Sequence, residues 1–94
     1  EIDAGIGGNV AESIGECLAD LAASRQVVAV THLASVAARA DHHFVVEKHV
    51  VNGDTRTTIR AVSGSERVGE IARMLAGQSA STESRALAER LLGR

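Results

Sequence analysis

Residues 26–30 read QVVAV, and these five positions constrain the fold more than any others in the chain. A strand with apolar side chains at consecutive positions is covered on both faces, the pattern of a strand inside a parallel sheet. One such strand cannot make a parallel sheet by itself. Its neighbours must come from elsewhere, either a preceding portion of a longer protein or another chain.

The remaining composition agrees with an incomplete unit. Val, Leu, Ile and Phe supply 24 of the 94 residues, too many for a disordered polymer. Ala adds 16 small side chains, but there is a single Phe and no Trp or Tyr. The expected core is therefore thin and aliphatic. Chains of this size bury only roughly 60–65% of their unfolded surface, so this one is expected to lean on something outside itself. It begins with Glu1 rather than Met, as a piece of a longer protein would. A net charge of −2 argues against a protein that coats nucleic acid, but leaves room for a local basic patch. The charge is uneven: residues 1–24 carry five acids and no Lys or Arg, and the later residues carry ten Lys and Arg against seven acids. The single cysteine, Cys17, cannot form an internal disulfide, which fits a reducing compartment, and is expected to pack as a small buried hydrophobe. No apolar run approaches the ~20 residues of a membrane span, and no signal peptide is visible.

The periodicities give an element order. Residues 9–24 form an amphipathic helix whose stripe is Val10, Ile14, Cys17, Leu18 and Leu21, with Asn9 as N-cap. After the strand at 26–30, residues 33–40 form a short helix. Phe44, Val46 and Val50 alternate with polar neighbours in a strand, Asn52-Gly53-Asp54 signals a turn, and residues 55–62 return as the second strand of a hairpin. Ser63 and Glu66 have capping-box spacing for a helix with the stripe Val68, Ile71, Ala72 and Leu75, ended by Gly77. A polar linker, 78–82, leads to a last helix at 82–92. The fold class is α/β, an incomplete sheet with packed helices and a β-hairpin.

Two segments carry potential chemistry. In Glu1-Ile2-Asp3-Ala4-Gly5-Ile6-Gly7-Gly8, two carboxylates precede a glycine-rich turn that opens a helix, a backbone suited to close approach to phosphates. Thr31-His32 sits at the carboxyl end of the strand, where ligands of open α/β sheets bind. Taken separately, these read as an acidic terminus with a loop and a surface histidine.

Together, EIDAGIGG and VTHL, linked by the amphipathic helix and followed by ADHHFVVEK and SGSERVGEIARMLAG, resemble the second half of an ABC-type P-loop ATPase head of the SMC-like kind, closest to the RecN family of bacterial DNA repair. The resemblance covers essentially the whole chain. It implies a C-terminal head lobe spanning 1–94, in which Glu1 is the Walker B glutamate that orients or deprotonates the attacking water. It makes Asp3, Ala4, Gly5, Ile6, Gly7 and Gly8 the D-loop along the interface between two heads. His32 becomes the switch histidine at the γ-phosphate. Gly7 stands where SMC heads usually carry aspartate, and Ala34-Ser35 where Pro-Gln is usual. ATP and Mg²⁺ are the implied ligands of the complete head. The fragment alone is expected to be inactive and to bind neither tightly, because the P-loop, the Mg²⁺ aspartate and the signature motif lie outside it. The implied partners are the N-terminal P-loop lobe, a second head in a homodimer, and DNA; no membrane is involved. The implied location is cytoplasmic and nucleoid-associated.

Ser63-Gly64-Ser65-Glu66-Arg67 imitates the ABC signature but follows the switch histidine, so it reads as a helix cap. Four histidines, His32, His42, His43 and His49, raise the question of zinc. His42 and His43 are adjacent and point apart on a strand, so no metal site is assigned. Lys48, Arg56 and Arg60 make the hairpin a candidate for sequence-independent contact with DNA phosphates. The rival to an ATPase lobe is a non-catalytic module that docks heads or binds DNA.

Overall fold

The computed structural model describes residues 8–77 and 81–93. It is a mixed α/β arrangement: α1 (Gly8–Ala22), α2 (Ala34–Ala37), a hairpin of β1 (His43–Val51) and β2 (Asp54–Val62), then α3 (Gly64–Ala76) and α4 (Thr82–Leu91). The four helices pack serially, α1 on α2, α2 on α3, and α3 on α4. The hairpin makes no comparably broad contact with any helix.

Apolar periodicity explains the α3–α4 pairing. Val68, Ile71 and Ala72 recur on one face of α3 and meet Ala88 of α4, with Met74, Leu91 and Leu92 packed around them. Ala34 and Ala37 of α2 complete this cluster. Ile71 is its largest fully buried side chain, and alanine supplies most of the rest. Gly77 ends α3 with φ +83°, a backbone that favours glycine. At α4, Ser81 and Ser84 cap each other: Ser84 N–H donates to Ser81 Oγ (3.1 Å) and Ser81 N–H donates to Ser84 Oγ (2.8 Å). The capping box expected at Ser63 and Glu66 is absent. Ser63 is the N-cap of α3 but makes no side-chain cap bond, and the Glu66 carboxylate turns to the Arg60 guanidinium rather than back to Ser63.

Helix α1 is rotated from its expected face. Ala11 and Gly15 are the buried positions, Ile14 and Leu18 are half-buried, and Val10, Leu21 and Cys17 are exposed. Cys17 is thus a surface thiol rather than a core side chain. The reason is close approach. A Cβ on Gly15 would lie 3.1 Å from the Ser35 carbonyl oxygen and 3.5 Å from Val36 Cα, so the missing side chain lets α1 settle on the α2 backbone. The wider apolar stripe is left facing outward.

Residues 26–30 form no strand, and Val28 is 86% exposed. The expected two-sided burial is not met within this chain. In the hairpin, register places opposite residues on a common face. The inner face carries His43, Val45, Glu47 and His49 opposite Val62, Arg60, Thr58 and Arg56. The outer face carries Phe44, Val46, Lys48 and Val50 opposite Ala61, Ile59, Thr57 and Thr55. Phe44, Val46, Val50 and Ile59 are all exposed. Asn52 and Gly53, both at positive φ, close the turn in the geometry that matches strand twist.

Candidate functional site

The segment carrying Thr31 and His32 enters α2 through a local hydrogen bond. Leu33 N–H donates to Thr31 Oγ1 at 2.9 Å, while Leu33 itself caps the helix with an extended backbone. A hydroxyl bonding a backbone amide two residues on competes with continued strand and turns the chain. His32 therefore lies between a segment without regular structure and the first turn of α2, and is itself exposed. Glu1 and the loop residues Asp3, Ala4, Gly5, Ile6 and Gly7 lie outside the described residues; Gly8 is the first residue of α1.

The far end of α2 is held by α3. Arg67 Nη2 donates to the Ala40 carbonyl at 2.6 Å and to the Ala37 carbonyl at 3.2 Å, with the Ala38 carbonyl at 3.5 Å. A guanidinium suits this position because helix carbonyl ends are left unsatisfied and carry partial negative charge. The spacing of Arg67 gave no hint of this role; only the fold brings carbonyls thirty residues away to its side chain.

A cavity of about 230 Å³ opens beside Arg67, lined by His42, His43, Phe44, Val62 and Gly64 among others. His43 Nδ1 is closed off from solvent without a hydrogen-bond partner. Burial lowers the His43 pKa from the usual 6.5, the Arg67 charge lowers it further, and Glu70 partly opposes them. As pH falls below 6.5, the unfolded chain takes up this proton more readily than the folded one. Folding stability should therefore decline on that limb, towards and through the folded pKa. Thermal melts between about pH 7.5 and 5.5 should show the decline, and His43→Gln should flatten it. An unchanged slope in the variant would assign the effect to other groups.

The hairpin does not present one basic face. Lys48 points to the outer face, opposite Thr57, and Arg56 and Arg60 to the inner face. Arg60 donates through Nη2 to Glu47 Oε1 at 3.0 Å and through Nη1 to Glu66. These bonds hold its pKa further above its ordinary value. Two carboxylates around one guanidinium leave no positive excess there for a phosphate. Arg56 sits across from His49, which pairs with Thr58 Oγ1 at 3.3 Å. Among the described residues, no group of His, Cys, Asp and Glu is arranged to hold a metal ion, and no helix is long and apolar enough to cross a membrane.

No family model matches the chain. Individual proteins do. It is 54% identical to the DNA repair protein RecN of Deinococcus radiodurans over 79 residues, 84% of this chain and 14% of that protein. It is 53% identical to RecN of Streptomyces coelicolor over 92 residues, 98% of this chain and 16% of that protein. The match to RecN of Treponema pallidum is 48% over 92 residues, again 98% of this chain and 16% of the relative. The chain thus spans about one sixth of the length of the relatives it matches.

Proposed function

Because the chain belongs to the RecN family of DNA repair proteins over the stretch it spans, we propose that it is the C-terminal lobe of an SMC-like, ABC-type ATPase head that acts in double-strand break repair. The observation that carries this reading is the uncovered run at 26–30: a sequence built for two-sided burial stands with Val28 and Val30 in solvent. A P-loop lobe supplying parallel strands would cover it, and would place His32 at the carboxyl edge of a shared sheet, where a triphosphate binds.

On this reading Glu1 orients or deprotonates the attacking water, His32 meets the γ-phosphate, and the Asp3–Gly8 loop runs along the junction with a second head. These groups complement a site whose phosphate cradle belongs to the other lobe. The family resemblance puts the Mg²⁺ aspartate in the other half of the head, so Mg²⁺ ligation is assigned there as well. DNA is a partner of the complete protein. At this hairpin its contact is limited to Arg56 on the inner face and Lys48 on the outer.

The test is capture. A tagged copy of this chain, co-expressed with its P-loop lobe, should retain that lobe, and Val28→Asp with Val30→Asp should abolish retention. Burying two carboxylates in a sheet interior is far costlier than leaving them in water. Undiminished capture by the double variant would remove residues 26–30 from the lobe interface and with them the main support for this assignment.

A further inference from the structure

We infer that Arg67 is a positioning residue for His32, acting through α2. The inference rests on the proposed role of His32 in ATP hydrolysis. Helix α2 has only four residues, Ala34–Ala37, far too few to be stable alone. Its placement is therefore imposed from outside: Ala34 and Ala37 pack into the α3–α4 cluster, Arg39 just beyond the helix pairs with Glu16 of α1 at 3.6 Å, and three further contacts act on its backbone. Thr31 Oγ1 fixes its entry through Leu33 N–H. Gly15 of α1 brings a helix backbone against Ser35 and Val36. Arg67 of α3 gathers its carbonyl end.

Of these, the Arg67 contact is the one built from a charged side chain reaching across the fold. One nitrogen, Nη2, faces all three carbonyls, so the charge at the end of the side chain meets the carbonyl end of the helix directly. The segment before His32 forms no ladder within the chain. The helix immediately after it is thus the regular element adjoining the histidine, and a change in the placement of α2 is passed on to His32. Arg67 is fixed in turn by its neighbour Val68, which is buried in the α3–α4 cluster. The guanidinium consequently adds a polar tie at the carbonyl end of α2 to the apolar packing of Ala34 and Ala37 in the same cluster.

The experiment uses a full-length protein carrying this chain, with Arg67→Gln, Arg67→Lys, His32→Ala and the Arg67→Gln/His32→Ala pair. Arg67→Gln should lower kcat for ATP about tenfold, with KM changed less than about twofold, since misplacing a catalytic group costs rate more than binding. The pair should be no slower than His32→Ala alone. The His32 ring resonances should shift in Arg67→Gln and return towards wild type in Arg67→Lys. Losses that multiply in the pair, or His32 resonances untouched by Arg67→Gln, would overturn the inference. If His32→Ala leaves turnover intact while Arg67→Gln still moves the His32 resonances, the hydrolytic role of His32 fails and the tether stands. Should Arg67→Gln not fold, Arg67→Met, which keeps the aliphatic stem and removes the donors, is read by the same resonances and the same kcat-against-KM split.

Discussion

Glu1→Gln, placed in a full-length protein carrying this chain, should lower ATP turnover about 100-fold or more while ATP-driven association of two heads persists or strengthens. The substitution keeps the size and hydrogen-bonding length of the side chain and removes its basicity. A group that accepts a proton or aligns a water loses its function under that change. A group that merely caps a helix or holds a loop does not, because an amide oxygen still accepts. Binding of ATP should be nearly unaffected, since the phosphate cradle is assigned to the other lobe and His32 is unchanged. Steady-state turnover together with ATP-dependent sizing of the heads separates the two effects. Turnover within a factor of two of wild type would remove Glu1 from the chemistry and favour the non-catalytic docking module.

The second large effect concerns folding. Ile71→Ala should cost about 2–5 kcal/mol, and Ile71→Val about 1 kcal/mol, the usual range for emptying a fully buried aliphatic site. The upper part of that range approaches the whole net stability of a small domain. Ile71 has no exposed surface and its neighbours are mostly alanines, which cannot swing in to fill a void. Ile59 is the internal control. It is the same residue type at 69% exposure, so Ile59→Ala should change stability little in the isolated chain. Denaturant melts and amide exchange in α3 and α4 report the difference. Equal losses at the two positions would mean that the α3–α4 cluster is not the seat of stability.

Local pattern carried much of this architecture. The Asn52-Gly53 turn, the alternation of both strands, the α3 stripe through Val68 and Ile71, and the stop at Gly77 each depend on a few adjacent residues and can be read directly. What depended on partners across the fold could not. The orientation of α1 turned on the absence of a side chain at Gly15, and periodicity counts only the side chains present. Glu66 has the spacing of a cap, but the fold brings Arg60 within its reach and the charge wins. The alternation of Phe44, Val46 and Val50 named a strand face without saying whether this chain would cover it. His32 was read as a strand-end histidine, but no strand forms before it within this chain, and the hold of Arg67 on α2 spans nearly thirty residues and leaves no local signature. The family likeness, in turn, came from motif order rather than from any single residue.

Lys48 gains a different meaning from its place on the hairpin. It is the only charged side chain on the outer face, flanked along β1 by Val46 and Val50. Bare β surfaces of this kind invite stacking between molecules, and an interposed ammonium opposes it, because two copies laid together would have to strip water from it. As long as this face is uncovered, the hairpin thus carries a built-in gatekeeper against its own aggregation.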